Sequence, residues 1–216
     1  SGNDLEGQLS ILKEKKIFSG ILAVIDVEAN PIETWHYLAS FKPPIVDFLL
    51  PHGHYDKLPH KQLWGNTIYG EWLIQIFDDW FVQKQFQNIR IRFFEEIMYR
   101  LLGREGSLES LGVDPVSLIS ISTDGNYDLT DAMKSVHSEA QVLNLSVFEH
   151  SLDDVIQHKT FSNRQNGMSS LSSKCRSCSL VQVCGGGYLP HRYSKENQYN
   201  NPSVYCVDLF NLIKHI

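Results

Sequence analysis

Residues 175–206 read CRSCSLVQVCGGGYLPHRYSKENQYNNPSVYC and contain every cysteine of the 216-residue chain. Cys175 and Cys178 are spaced C-x2-C, Cys184 follows after five more residues, and Cys206 closes the set. Two cysteines at that spacing can bring both thiolates onto one centre, and four thiolates suit tetrahedral zinc or an iron–sulfur cluster. Gly185, Gly186 and Gly187 let the backbone bend tightly around a bulky centre and leave amides free to point at sulfur. Two disulfides are the weaker reading, because a chain of this length builds a core without staples and no secretory signal opens it. Common zinc modules pair two close couples of ligands, whereas Cys206 stands alone. Spacing by itself leaves cluster and zinc open.

The wider segment, from the C-x2-C-x5-C run through GGG, HRY and NPSVYC to VDLFNLIKHI, resembles the C-terminal SPASM region of radical SAM enzymes. It is most similar to the maturases that cross-link ribosomally made peptides. The resemblance continues upstream through DFLLPH, YGEWLIQIFDDWF and STDGNYDLTDAMK. It implies an α/β fold: the C-terminal part of a partial (β/α) barrel with following helices over residues 1–112, then a SPASM-like auxiliary iron–sulfur domain over 113–216. It also implies that Cys175, Cys178, Cys184 and Cys206 hold one auxiliary [4Fe-4S] cluster.

Two departures refine what the resemblance implies. Radical SAM enzymes hold their catalytic cluster with a C-x3-C-x2-C triplet, and no cysteine precedes residue 175 here. The expectation is a C-terminal portion or subunit, with S-adenosylmethionine and a second [4Fe-4S] cluster present only in the intact enzyme. The fuller SPASM pattern also carries two cysteines at positions occupied here by Thr130, five residues after Gly125, and by Tyr188. Both losses fall on the first auxiliary cluster, so one auxiliary cluster is expected and not two.

The remaining chain reads as alternating helices and strands. Leu5–Lys15 is expected to be helical, and ILAVIDV after Gly20 reads as a buried strand. Asn30-Pro31-Ile32-Glu33 opens a helix that ends near Ser40, and IVDFLLP follows as a second strand. Strand, helix, strand with short links is the unit of a parallel sheet. Helical spacing then recurs in Trp72, Leu73, Ile76, Phe77, Trp80 and Phe81, and in Phe93, Phe94, Ile97, Met98, Leu101 and Leu102, which read as packing stripes. Leu118–Thr123 enters a hairpin at Asp124-Gly125, Ser151-x-x-Asp154 is a capping-box variant, and Gln165–Ser173 reads as a loop across the cysteine region.

Other chemistry-bearing residues are sparser. His52, His54, Tyr55 and Asp56 follow the second strand, where parallel barrels carry reactive groups. Composition favours a solvated loop there. If the resemblance holds, the loop faces the substrate cavity, with Asp56 a candidate catalytic group and His54 a candidate substrate contact. Arg192 is a further candidate for substrate binding, although HRY more simply braces the excursion between Cys184 and Cys206. Asp124, Asp128 and Asp131 lack the distal glutamate of a calcium loop and read as a solvated turn.

A formal charge of -6 with scattered cations argues against a nucleic-acid partner, and the run Lys13–Lys16 is a solvated helix face. No segment approaches the roughly 18–20 apolar residues of a membrane span. Reduced cysteines without an export signal give a cytoplasmic expectation. The resemblance implies that the intact enzyme abstracts hydrogen from a precursor peptide and forms a cross-link. The expected partners are that peptide and an N-terminal radical SAM half, or a second copy through an open barrel edge. The other class of reading is a non-catalytic module that grips a peptide or partner while its cysteines hold structural zinc.

Overall fold

The computed structural model describes residues 4–62, 66–116 and 118–216. Helix α1 (Leu5–Glu14) is capped by Asp4, whose side chain accepts from Gly7 N at 2.9 Å. Strand β1 (Ile21–Val24) leads through helix α2 (Pro31–Ser40) to strand β2 (Ile45–Leu49). Asn30 caps α2 by accepting from Glu33 N at 3.1 Å, and Pro31 opens the helix with its fixed φ. Helix α3 (Ile68–Val82) follows, then a two-residue strand β3 (Arg90–Ile91) running directly into helix α4 (Arg92–Leu101).

These three strands form one parallel sheet in the order β1-β2-β3. The crossover helices cover one face only. Trp35 of α2 and Trp72 of α3 pack edge-on against Phe48, with ring centroids 6.4 and 5.4 Å away, and Val46 is fully buried beside them. The opposite face carries Leu22 paired with Asp47 and Val24 paired with Leu49. Leu22 and Val24 are 69% and 64% exposed. The expected buried strand at ILAVIDV is therefore a half-exposed edge strand, because no element covers its second face or its outer edge among the described residues. Strand β3 was not expected, since its two residues are too short to show an alternating pattern.

The second half is built on an antiparallel sheet of β4 (Ser120–Ile121), β5 (Asn126–Asp128) and β6 (Val142–Ser146). Its first turn has the expected hairpin at Asp124-Gly125, with Gly125 at φ +86°. Helix α5 (Leu152–Gln157) carries the full capping box between Ser151 and Asp154, and α6 (Lys159–Gln165) follows. Part of the expected loop at 165–173 is thus helical, with a 3-10 turn at Gly167–Ser170. The short helices α7 (Ser173–Arg176) and α8 (Val181–Cys184) then bring in the cysteines, and α9 (Cys206–His215) ends the chain.

Helix α9 packs back on α3, so Leu209, Leu212 and Ile213 share one core with Trp35, Phe48 and Trp72. Asp208 fixes that return. Its Oδ1 accepts from Tyr69 N at 3.0 Å and Gly70 N at 2.9 Å, while Oδ2 accepts from Gln62 Nε2 at 2.9 Å. Thr67, at the N-cap of α3, makes no capping bond, so a carboxylate distant in sequence satisfies the free amides of that helix. Asp208→Ala is expected to lower stability by about 2–3 kcal/mol, because it strips the buried amides of their acceptor. Urea unfolding measures this, and an unchanged midpoint would mean that water replaces the carboxylate.

Candidate metal centre and sheet-face cavity

All four cysteines line one cavity of about 270 Å³, lined also by Lys174, Leu180, Val181, Pro202, Val207 and Phe210. Their positions follow from three local devices. Ser172 caps α7 by accepting from Cys175 N at 3.4 Å, which sets the first thiol. Leu180 N points at Cys178 Sγ from 3.5 Å. Helix α8 ends at Gly185 in the left-handed region (φ +62°), turning the chain as soon as Cys184 is in place.

Gly185 admits no side chain for a second reason. A Cβ there would lie 1.7 Å from Gly112 O, so the cysteine loop and the loop after α4 touch backbone to backbone. Gly112 N also donates to Val183 O at 2.9 Å. The loop after α4 is anchored in turn by a buried network: Arg100 Nε donates to Glu96 Oε1 at 2.8 Å and Arg100 Nη1 to Asp114 at 2.5 Å. Gly186 lines the cavity itself at φ +79°, where a Cβ would sit 3.5 Å from Cys175 Sγ and 3.1 Å from Leu171.

Burial governs the electrostatics of these thiols. The Cys184 thiol is pushed up to about 12 by burial first and by the neighbouring Cys206 next. Burial also raises Cys206, with Lys174 pulling the other way. A cationic centre reverses this by taking the thiolates directly. Four cysteines on one cavity are a ligand set that suits either tetrahedral zinc or an iron–sulfur cluster. Among the described residues, no group of three or more His, Cys, Asp or Glu is gathered as it would be around a single ion.

A second cavity, of about 450 Å³, opens at the C-terminal ends of the parallel strands. Val24, Asp47, Leu49, His52 and Arg92 line it from the uncovered face of the sheet and the segments beyond, and Tyr188 and His191 line it from the excursion between Cys184 and Cys206. Asp47 is 3% exposed, and its Oδ2 accepts from Arg92 Nε at 2.9 Å and also from Nη2. Burial raises its carboxyl, against the pull of Arg92. His191 is 3% exposed, packed edge-on against Tyr188 and Tyr205, with His52 6.2 Å away. Burial pushes its imidazole down to about 3, so it is neutral at ordinary pH.

The candidates Asp56, His54 and Arg192 lie outside that cavity wall. Asp56 Oδ2 accepts from Lys195 N at 2.8 Å, and Tyr55 N donates to Tyr193 O at 3.0 Å, so this loop is stitched to residues 193–195. His54 is buried edge-on against Tyr193, and its Nδ1 accepts from Asp56 N at 3.3 Å. Arg192 is 4% exposed and donates to Ser170 O, Tyr199 O and Asn201 O, which is the brace expected of HRY. Thr130 and Tyr188, at the two positions lacking cysteine, approach hydroxyl to hydroxyl at 3.4 Å. Sequence reasoning missed Asp47 and Arg92. The available signal was a carboxylate inside the apolar strand IVDFL, where burial demands a partner.

His191 gives this region a pH signature. Its folded pKa lies below the ordinary 6.5, so the unfolded chain binds the proton first. Stability is therefore intact above pH 6.5 and falls with pH toward 3. By pH 5 the loss from this group is about 2 kcal/mol. His54, also depressed by burial, adds in the same direction. Denaturant midpoints between pH 7 and 5 measure the slope, and His191→Phe is expected to flatten it.

No family model matches the sequence, and no curated protein is significantly similar to it. Solved structures are. The fold matches native anSMEcpe with bound AdoMet at a TM-score of 0.77 and 17% identity, covering 97% of this chain and 57% of that one. Native anSMEcpe with bound AdoMet and Kp18Cys peptide gives a TM-score of 0.77, 17% identity and coverage of 97% and 58%. The complex with AdoMet and Cp18Cys peptide gives 0.73, 17%, 97% and 59%. The chain thus spans under three-fifths of the length of the structures it matches. At this identity the likeness establishes a shared mixed α/β fold.

Proposed function

We propose that this chain is the C-terminal part, or a separate subunit, of a radical SAM enzyme of the SPASM type that modifies a ribosomally made peptide, and that it holds one auxiliary [4Fe-4S] cluster. The observation that carries the reading is the single cavity walled by Cys175, Cys178, Cys184 and Cys206. Support comes from the shared fold with anSMEcpe, whose structures include bound AdoMet and peptides. The contact between Thr130 and Tyr188 supports one auxiliary cluster, since two hydroxyl side chains stand there in place of two thiols.

Four cysteine ligands would leave a cluster no open position, so such a centre supplies one-electron transfer or structural support and not direct ligation of substrate. The chain's own residues do the rest. Leu180 N would steady the Cys178 sulfur. Arg192, His54 and Asp56 hold the walls between the two cavities by the bonds described above. These bonds support a bracing role for the three residues, beside their candidacy as catalytic (Asp56) and substrate-binding (His54, Arg192) groups. We also propose a division near residue 112 between the barrel part and the cysteine-bearing part, although helix α9 contributes to the first core.

By this reading AdoMet cleavage belongs to a C-x3-C-x2-C triplet, which this sequence does not contain. Among the described residues the outer edge of β1 has no partner strand, and Leu22 and Val24 are exposed, which supports pairing with further barrel strands, from a complementing half or from a second copy. A cytoplasmic setting suits reduced thiols. Among the described residues no helix is long and apolar enough to cross a membrane.

Anaerobic reconstitution followed by iron, sulfide and zinc analysis tests the assignment. About four iron and four sulfide per chain are expected, with a visible charge-transfer band lost in Cys178→Ser and Cys206→Ser. One zinc without sulfide under strict anaerobic handling would instead establish a structural zinc module. Gly186→Ala is expected to load less iron than the unaltered chain, because a side chain strains the backbone at φ +79° and presses on Leu171 from 3.1 Å.

A further inference from the structure

Among the described residues that line the thiol cavity, Lys174 alone is a cation and none is a carboxylate. The wall beside it is cysteine, Gly186, Ser203 and apolar side chains such as Val181, Val207 and Phe210. Helix α7 sets its place: Ser172 caps the helix at Cys175 N, so Lys174 and the first thiol stand side by side in one turn. The charge reaches beyond its own helix, since at Cys206, on α9, it opposes the effect of burial.

Two other charges act on these sulfurs. Arg192 interacts with Cys175 and Cys184, and Asp208 with Cys206. Both are buried and committed, Arg192 to three backbone carbonyls and Asp208 to the start of α3. Lys174 is exposed and belongs to neither bond set. A cluster bound by four thiolates becomes more negative by one charge when it takes up an electron. A cation beside it therefore favours the reduced form, and net charge is one of the levers that set the potential of such a centre. We propose that Lys174 raises the reduction potential of the centre held by Cys175, Cys178, Cys184 and Cys206, and so makes it the better electron acceptor. The inference rests on the cluster assignment made above and adds to it a residue that ligates nothing. Because the ammonium is exposed, its influence is modest and falls with salt.

The test is an anaerobic potentiometric titration of the reconstituted full chain, followed by the electron paramagnetic resonance of the reduced cluster. Iron, sulfide and zinc are measured on the same samples, and iron and sulfide are expected to be equal in all variants. Lys174→Gln is expected to lower the midpoint, so that at a fixed applied potential the ratio of reduced to oxidised cluster falls about threefold. That is about 30 mV, on the scale where tenfold is about 59 mV for one electron. Lys174→Glu is expected to lower it further, and Lys174→Arg to keep it. The spread among these proteins is expected to narrow as ionic strength rises from about 0.1 M to about 1 M, because the Debye length shortens from about 10 Å to about 3 Å. A merely structural role would give neither the order by charge nor the dependence on salt.

Equal potentials in the unaltered chain, Lys174→Gln and Lys174→Glu, at full iron and sulfide content, overturn the proposal and leave the cluster assignment intact. A midpoint in Lys174→Arg as low as that in Lys174→Gln overturns it as well, because charge would then not be the cause. One zinc and no sulfide in the unaltered chain overturns the cluster assignment, and this proposal with it.

Discussion

Asp208 stands two residues beyond Cys206, in the first turn of α9, and ties the cysteine-bearing end of the chain to the first core. Its carboxylate takes over the free amides at the start of α3, a service that Thr67 does not perform. The helices cross closely at this point: a Cβ on Gly70 would lie 2.7 Å from Asp208 O. A buried carboxylate is costly unless every lone pair is used, and here two amides and a glutamine share it. Position and orientation of Cys206 follow from that bond set, because the first turn of a helix moves as a unit. The fourth thiol is thus placed by a hydrogen-bonded helix end more than by its own loop.

The two cavities have one wall in common. The excursion from Gly185 to Tyr205 has Gly186 and Ser203 facing the thiols, and Tyr188 and His191 facing the open side of the parallel sheet. Its shape is fixed from within by Arg192, which collects three backbone carbonyls, and by Asn201, which donates to Arg192 O at 2.9 Å. It is fixed from outside by the loop carrying His54 and Asp56. A segment without long helices or strands is thereby held by side-chain bonds in place of a backbone ladder. Histidine and arginine, often read as reactive, serve here in different ways. Arg192 is consumed in bonding, whereas His191 keeps a ring nitrogen unengaged.

Sequence showed the parts of this fold whose signals are local. The cap and proline at Asn30-Pro31, the hairpin glycine at 125 and the Ser151–Asp154 box each need only a few neighbouring residues, and each element formed where those signals stand. The four cysteines were legible as one set because spacing alone restricts their geometry. What escaped was long-range. The strand at 21–24 has the composition of a buried strand, but its exposure depends on which elements cover it. The Asp47–Arg92 pair joins positions 45 residues apart across a sheet register. Strand β3 is too short for periodicity to declare itself. His54 and Asp56 were placed correctly after a parallel strand, yet which way the loop faces was set by bonds to residues 193–195 that no local pattern encodes.

The backbone contact between Gly112 and Gly185 constrains chain length as well as side-chain size. Residues 104–114 contain no helix or strand, and such segments are ordinarily the places where a protein accepts extra residues or a tag. This one does not have that freedom. It begins at the end of α4, is pinned at Ser107 and Asp114 by the Glu96–Arg100 pair, and must deliver Gly112 against Val183 and Gly185. One added residue would shift the register of all these contacts and displace the cysteine loop. The exposed tip around Phe148 and Glu149 is bonded within its own sheet, to Gly125 and Ser146, and not to the cysteine loop, so engineering of this chain can begin there.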